Sequence, residues 1–221
     1  MRAKPVIAID GPAGAGKSTI ARKIATALNF VYIDTGAMYR AITLRLQESG
    51  TDYRDSGAVT ALLSKISIAF DPAGRIFLDG DDVSDRLRLP EVNGLVSAVA
   101  GLPAVREHLQ TLQRDIGKNG GVVLDGRDIG SAVFPDAECK FYLDASLEER
   151  AQRRLNDSKE KVFVDLESLK RDIARRDEAD SNRAHSPLVR TNDATYIDTT
   201  GMGPGQVVDT MLEYINARSA R

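Results

Sequence analysis

Short apolar runs alternate with helical patterns along the first part of the chain. Residues 6–9 form a continuous apolar run ahead of a glycine-rich turn, which is typical of a buried parallel strand. Residues 20–28 then place isoleucine and leucine at helical spacing before Asn29, a residue type that suits a helix end. Residues 30–33 predict a second strand. This alternation of strand and helix indicates an α/β fold with a parallel sheet.

The middle of the chain breaks this alternation. Residues 67–70 and 75–78 predict two short strands around an Asp-Pro-Ala-Gly turn. We therefore predict that residues 37–105 form an inserted lobe of their own. Pro103 suits the first turn of the next helix, and the glycines at 120–121 stop that helix.

The remaining sequence returns to the strand pattern and closes with a helix. Residues 122–124, 140–143 and 195–198 predict three more core strands, and residues 205–218 predict an amphipathic helix. Residues 156–190, in contrast, are strongly charged and lack apolar periodicity. We expect this charged segment to be mobile and to contain one polar helix.

Composition excludes several classes of protein. The 221 residues are 42% hydrophobic and 28% charged, which is the balance of a globular domain. The formal net charge of −2 argues against a protein that wraps a nucleic acid polymer, and one cysteine and two histidines are too few for a disulfide framework or a His-based metal centre. No apolar run reaches about 18 residues and no signal peptide fits the first residues. We expect a soluble, cytoplasmic protein with no membrane partner.

Residues 11–18 match the phosphate-loop pattern G-x-x-x-x-G-K-[ST] at every fixed position. Small residues in such a loop let backbone N–H groups surround phosphate oxygens, and the helix that follows adds its positive end. Lys17 is the residue type that reaches the β- and γ-phosphates, and the Ser18 hydroxyl is a metal ligand for Mg²⁺. We predict a nucleoside triphosphate site rather than a structural glycine turn. Its predicted residues are Gly11, Pro12, Ala13, Gly14, Ala15, Gly16, Lys17, Ser18 and Thr19.

The phosphate loop alone does not identify the phosphate acceptor. A GTPase would need a guanine-reading N-K-x-D motif, and the sequence contains none. Motor and transport ATPases are usually larger chains with a separate catalytic glutamate. A small chain with an inserted lobe and many arginines favours a kinase that acts on small molecules.

Two arginine-containing segments are candidates for binding a second phosphate. Thr35 is predicted at a helix start with Arg40 just over one turn later, so a phosphate could bind both, although a helix cap with a surface arginine explains the same pattern. Arg127 and Asp128 follow a predicted central strand, at the sheet edge where α/β proteins bind ligands. The alternative there is a tight turn closed by an Asp–Arg pair.

A third candidate segment lies in the charged region. Arg176, Asp180 and Arg183 have the spacing of residues that share one helix face. A solvated, salt-bridged helix would have this pattern too. Beside a phosphate loop, a closing lid is the better explanation, because phosphoryl transfer needs cations that neutralise the transferred group and exclude water.

Taken together, these segments resemble those of the bacterial cytidylate kinase family, within the nucleoside monophosphate kinase group. The resemblance covers essentially the whole chain, and its most specific parts are the Asp-Gly-Arg-Asp segment and the long inserted lobe. The matching motifs are IDGPAGAGKS at 9–18, DTGAMYR at 34–40, GDDVS at 80–84, PAVR at 103–106, DGRDIG at 125–130, FPDA at 134–137, LDA at 143–145 and RDEADSNR at 176–183.

This resemblance implies three domains and a set of roles for individual residues. The fold expected is a parallel central sheet flanked by helices, as in P-loop nucleoside triphosphate hydrolases. The implied domains are a core over 1–36, 106–152 and 190–221, a monophosphate-binding lobe over 37–105, and a lid over 153–189. The implied catalytic residues are Lys17, Arg127, Arg176 and Arg183. The implied CMP contacts are Thr35, Arg40, Arg127 and Arg183 for phosphate, Ser97, Arg106 and Asp128 for the base, and Arg176 and Asp180 for the sugar.

The reaction implied is transfer of a phosphoryl group from ATP to CMP or dCMP, with Mg²⁺ bound alongside ATP. The partners expected are these small molecules, and we expect a monomer. One alternative is another small-molecule kinase, with UMP, AMP or shikimate as acceptor. The other is a nucleotide-dependent switch or binding module, which would not turn over in response to an acceptor.

Overall fold

A computed structural model of the chain describes residues 2–71, 74–156 and 165–219. Its strands are β1 (Val6–Asp10), β2 (Val31–Asp34), β3 (Ile68–Phe70), β4 (Ile76–Leu78), β5 (Asp81–Asp82), β6 (Val122–Asp125), β7 (Cys139–Asp144) and β8 (Thr195–Asp198). Its helices are α1 (Lys17–Leu28), α2 (Thr35–Glu48), α3 (Ser56–Leu63), α4 (Pro90–Ala100), α5 (Pro103–Gly117), α6 (Leu147–Asn156), α7 (Leu166–Asn182) and α8 (Pro204–Ser219). A π-helical turn covers Ile129–Val133.

The main sheet confirms the predicted α/β fold. It has five strands in the order β2-β6-β1-β7-β8, and β1 pairs in parallel with both β6 and β7. All five residues of β1 are buried, as the continuous apolar run predicted. Because the strands are parallel, the loops that follow β1, β6 and β7 leave the same edge of the sheet, where ligands bind in this class of fold.

The chain divides into two compact units, residues 1–32 with 119–221 and residues 33–118. In the first unit, helix α1 packs Ile20 and Ile24 against the sheet and ends at Asn29, which has a left-handed φ of 53°. Asparagine tolerates this conformation better than most residues. The predicted end of α1 is therefore confirmed.

The second unit contains helices α2 to α5 and a small antiparallel sheet in the order β3-β4-β5. The predicted hairpin is present as β3 and β4, with Ile68 opposite Leu78. Pro72 and Ala73 of the predicted turn lie outside the described residues. The two-residue strand β5 was not predicted, because two aspartates carry no strand pattern.

The charged segment is better packed than its sequence pattern indicates. Residues 157–164 lie outside the described residues, and α7 follows them. Leu169 and Ile173, four residues apart on α7, are buried and form an apolar cluster with Ala13 and Ala151. Leu166 packs against the same cluster, so the stripe on α7 is Leu166, Leu169 and Ile173. The sequence reasoning missed it because these three residues stand within a highly charged helix. None of the helices in the described ranges is long and apolar enough to cross a membrane.

Candidate active site

The phosphate loop lies between β1 and α1, at the carboxyl edge of the sheet. Its backbone turns sharply at Gly11, where φ is 145° and a Cβ atom would lie 1.9 Å from the carbonyl oxygen of Leu143. Only glycine fits this approach to β7. Helix α1 begins at Lys17, so its first N–H groups face the loop that precedes it. This is the strand–loop–helix arrangement that binds phosphate.

Lys17 is buried at the start of α1. The residue is 6% exposed, and the ammonium Nζ donates a 2.7 Å hydrogen bond to the carbonyl oxygen of Pro12. Burial, followed by the positive charge of Arg127, lowers the pKa of Lys17 to about 7. A polyanion beside Lys17 would satisfy this cation, which is the chemistry expected of a phosphate-binding lysine.

Asp125, at the end of β6, is a site residue that the sequence reasoning did not single out. Its carboxylate accepts a 2.7 Å hydrogen bond from the Ser18 hydroxyl and a 2.8 Å hydrogen bond from the Tyr32 hydroxyl. The available signal was an acidic residue that ends a buried apolar strand next to the phosphate-loop strand. Ser18 and Asp125 therefore place a hydroxyl and a carboxylate together at the loop.

Asp10, the last residue of β1, fixes the segment that follows Asp128. Its carboxylate oxygens accept hydrogen bonds from the backbone N–H groups of Ile129 at 2.8 Å and Gly130 at 2.7 Å. Burial raises the pKa of Asp10 to about 6, although these two N–H groups oppose the shift. Asp10 thereby ties the end of β1 to the start of the π-helical turn.

The predicted residues of the first unit form a connected network of charges. Arg127 Nε donates to Asp180 at 2.8 Å, and Arg183 donates to Asp180 at 3.3 Å. Arg183 Nη2 also lies 3.8 Å from a carboxylate oxygen of Asp128. Burial opposes ionisation of Asp180, but the charges of Arg127, Arg176 and Arg183 outweigh it and hold the pKa of Asp180 below its usual value. The structure thus brings three arginines together around Asp180.

The predicted residues of the second unit lie at two helix ends. Thr35 is the buried first residue of α2, whose N-terminus Asp34 caps by accepting from the Ala37 N–H at 2.9 Å. The Arg40 guanidinium lies beside this N-terminus, since a Cβ on Gly36 would be 3.1 Å from Arg40 Nη1. A helix N-terminus with an adjacent arginine suits a phosphate group.

Ser97 lies in the last turn of α4, and Arg106 on α5 contacts the end of α4. Arg106 is 3% exposed, donates to the Ala100 carbonyl oxygen at 3.0 Å and packs over the Tyr39 ring at 5.5 Å from its centroid. Ser97 is exposed on α4 itself, one turn before Ala100. These contacts hold the Arg106 guanidinium in a fixed orientation, and the Ser97 hydroxyl is accessible.

Within residues 2–71, 74–156 and 165–219, no three His, Cys, Asp or Glu side chains are grouped so as to hold a metal ion. Mg²⁺ at a nucleotide site commonly takes one or two carboxylate or hydroxyl ligands from the protein, and substrate phosphates and water complete its shell.

Comparison with known proteins places these features in one family. The family model described as cytidylate kinase matches residues 7–217. A relative named cytidylate kinase from Pediococcus pentosaceus is 47% identical over 225 residues, which cover 100% of each chain. Another with the same name, from Geobacillus kaustophilus, is 50% identical over 222 residues, which cover 99% of each chain.

A solved structure of shikimate kinase from Acinetobacter baumannii in complex with shikimate has a TM-score of 0.52 and 17% identity. That match covers 100% of this chain and 97% of the other chain. At this level of identity the likeness shows the α/β fold and no more. The family match and the two relatives extend over nearly every residue, including all the site residues described above. The chain therefore belongs to the cytidylate kinase family.

Proposed function

We infer that the protein is an ATP-dependent kinase that transfers the γ-phosphoryl group of ATP to CMP or dCMP and releases ADP with CDP or dCDP. The match to the cytidylate kinase family across residues 7–217 carries this inference. The phosphate loop, the buried Lys17 and the arginine network supply the groups that such a transfer requires. Relatives with the same name are 47% and 50% identical over essentially the whole chain.

The donor nucleotide is assigned to the phosphate loop. Backbone N–H groups of residues 11–19 would surround its phosphates, and Lys17 would exchange its hydrogen bond to the Pro12 carbonyl for phosphate oxygens. Since the Lys17 charge is poorly compensated before the nucleotide binds, its interaction with a triphosphate in this buried position is strong.

Ser18 and Asp125 fit a magnesium site. Hydroxyl and carboxylate oxygens are the ligands that Mg²⁺ prefers, and these two lie within 2.7 Å of each other. Tyr32 fixes the second carboxylate oxygen of Asp125 and so orients the pair. When bound with ATP, Mg²⁺ neutralises charge on the β- and γ-phosphates.

Arg127, Arg176 and Arg183 are proposed to stabilise charge on the transferred phosphoryl group. Positioning and electrostatic stabilisation account for most of catalysis in such a transfer, because the protein forms no covalent bond. Asp180 holds Arg127 and Arg183 in place, and this position next to arginines is compatible with its proposed second contact, the sugar of CMP. No general base is needed, since the acceptor is already an ionised phosphate.

The proposed contacts of CMP divide between its phosphate and its base. Thr35 and Arg40, at the N-terminus of α2, would bind its phosphate, and Ser97, Arg106 and Asp128 would bind the cytosine base. Cytosine presents an amino donor at N4 and acceptors at N3 and O2. Asp128 and the Ser97 hydroxyl can accept from N4, whereas the Arg106 guanidinium can donate to N3 and O2. We also propose that the protein is a monomer, which light scattering would test.

Direct detection of products tests the reaction and its metal requirement together. With ATP, CMP and excess Mg²⁺, phosphorus NMR is expected to show equal amounts of ADP and CDP. Chelation of divalent metal by EDTA is expected to lower the rate by about a hundredfold or more, because charge on the phosphates is then left to side chains alone. An undiminished rate in EDTA would contradict the assignment of Ser18 and Asp125 as metal ligands.

Asp128 is expected to select cytosine over uracil. An ionised carboxylate only accepts hydrogen bonds, so it would face the uracil O4 acceptor unpaired. Asparagine can turn its amide donor to O4. We therefore predict that Asp128→Asn raises kcat/KM for UMP relative to CMP by at least about tenfold, which is about 1.4 kcal/mol.

The control for this test is Asp115→Asn, which changes an exposed residue of α5 that pairs with Lys118 just beyond the helix. Both variants are compared with the unaltered protein at the same saturating ATP and Mg²⁺. An unchanged UMP/CMP ratio in folded Asp128→Asn would assign Asp128 to its contact with Arg183 instead of to the base.

A further inference from the structure

Both backbone polar groups of Ala13, in the middle of the phosphate loop, bind charged side chains from outside the loop. The Ala13 N–H donates to Asp177 Oδ1 at 2.9 Å, and the Ala13 carbonyl oxygen accepts from Arg150 Nη1 at 3.0 Å. Arg150 also forms an ion pair with the other Asp177 oxygen. Arg150 and Asp177, which we call the Ala13 anchor, thus close a ring of hydrogen bonds with one residue of the loop.

The Ala13 anchor is built into the protein and is largely shielded from water. Arg150 lies on α6, and its Nε donates to the Ala145 carbonyl oxygen at 2.9 Å. The side chains of Arg150 and Asp177 are 10% and 18% exposed. Ala13 also packs with Leu169 and Ile173 of α7. A charge pair in such surroundings keeps its geometry, because each partner would be costly to leave unpaired.

Steric contact reinforces this position of the loop. Gly14, which follows Ala13, has a φ of 79°, and a Cβ there would lie 3.0 Å from the Arg150 Cβ. The loop backbone therefore approaches α6 as closely as a glycine allows. The position of the loop is set by the anchor as well as by its own sequence.

The same contacts connect the loop to helix α7, which carries Arg176, one of the proposed catalytic arginines. Asp177 directly follows Arg176 on α7, and Asp180, three residues later on the same helix, binds Arg127. Helix α7 is thus attached through one aspartate to the phosphate loop and through another to the segment after β6. A shift of the loop at Ala13 would move Arg176 with it.

We propose that Arg150 and Asp177 are positioning residues for the phosphoryl donor, which hold the phosphate loop at Ala13 and couple it to Arg176 on α7. Neither residue needs to touch a substrate in this role. The proposal rests on the proposed function, because it assigns the loop to ATP.

The proposal predicts that loss of the anchor weakens binding of the donor, ATP, much more than binding of the acceptor, CMP. In Asp177→Ala, the affinity for Mg²⁺–ATP measured by calorimetry is expected to fall about tenfold, because the Ala13 N–H and Arg150 both lose a charged partner. The KM for CMP at saturating ATP is expected to change less than about twofold. A purely structural role would lower the folded fraction and leave both constants of the folded protein unchanged.

The matched control is Asp172→Ala, five residues earlier on α7. Like Asp177, Asp172 forms an ion pair with an arginine, but its partner is Arg175 on the same helix and the pair is exposed to solvent. Its ATP affinity should equal that of the unaltered protein, since exposed ion pairs contribute little. Asp177→Asn carries the test if Asp177→Ala does not fold. Its amide can accept from only one of the two donors, so about threefold weaker binding of ATP is expected.

A double-substitution cycle examines whether the two residues act as one unit. Arg150→Lys cannot reach the Ala13 and Ala145 carbonyl oxygens and Asp177 together, so it should weaken ATP binding by itself. The double variant with Asp177→Asn should bind ATP no more weakly than whichever single variant has the lower affinity. Multiplicative losses would contradict a shared anchor.

ATP affinities of the folded Asp177 variants within twofold of Asp172→Ala would overturn the proposal. Failure of the proposed function is distinguishable from this outcome. If the unaltered protein does not bind ATP or form CDP, the kinase assignment itself is wrong. If the unaltered protein does both and the Asp177 variants bind ATP as tightly as Asp172→Ala, the kinase assignment stands and the anchor has no positioning role.

Discussion

Replacing Lys17 with alanine is expected to lower kcat for ATP and CMP by about a hundredfold or more, which corresponds to about 3 kcal/mol or more of lost transition-state stabilisation. Lys17 is a buried cation at the start of α1, and its Nζ donates to the Pro12 carbonyl oxygen. Charge develops on the transferred group during the reaction, so a contact from Lys17 strengthens in the transition state. The loss should therefore fall mainly on kcat.

The control is Lys23→Ala, which removes an exposed lysine from the same helix. Its kinetic constants should match those of the unaltered protein. Steady-state kinetics of both variants, with folding checked by circular dichroism, complete the comparison. A kcat close to normal in Lys17→Ala would remove Lys17 from the catalytic machinery.

Asp10 is expected to make the protein less stable as pH rises. Its pKa in the folded protein is about 6, against an ordinary value of 3.8. Between these two values the folded state holds more protons than the unfolded state, so the free energy of unfolding falls with increasing pH. The difference corresponds to about 3 kcal/mol. The charged groups that face Asp10 are Asp128, which adds to the shift, and Lys17, which opposes it.

The change can be isolated by comparison with Asp10→Asn, which does not titrate. Denaturant unfolding from pH 4 to pH 7 should show the free energy of unfolding of the unaltered protein declining relative to that of the variant. Carboxylates that do not interact with Asp10 titrate alike in both proteins and cancel. Two parallel stability profiles would mean that Asp10 has an ordinary pKa despite its burial.

Local sequence patterns were sufficient to predict most of the fold. The buried run of β1, the phosphate-loop spacing and the left-handed end of α1 at Asn29 each depend on residues that are neighbours in the chain. Hydrophobic periodicity and backbone preference act over such short distances. For this reason the parallel sheet and the loop at its edge were predicted correctly.

Contacts between distant residues account for what the sequence did not reveal. Asp177 binds the Ala13 N–H across a separation of 164 residues, and Asp125 binds Ser18 across 107. No spacing rule links residues so far apart, and within α7 Asp177 looks like one more charge on a solvated face. Only the folded chain shows which aspartates face solvent and which bind the phosphate loop.

The acceptor preference tests the central claim most directly. Initial rates of ADP formation would be measured at saturating ATP and Mg²⁺ with CMP, dCMP, UMP, AMP and shikimate, and with no acceptor. We predict that kcat/KM for CMP or dCMP exceeds that for each other acceptor by about a hundredfold or more, because a site that hydrogen-bonds one base leaves polar groups unpaired with another. A higher kcat/KM for UMP, AMP or shikimate, or ATP turnover that is independent of any acceptor, would contradict the assignment as a CMP kinase.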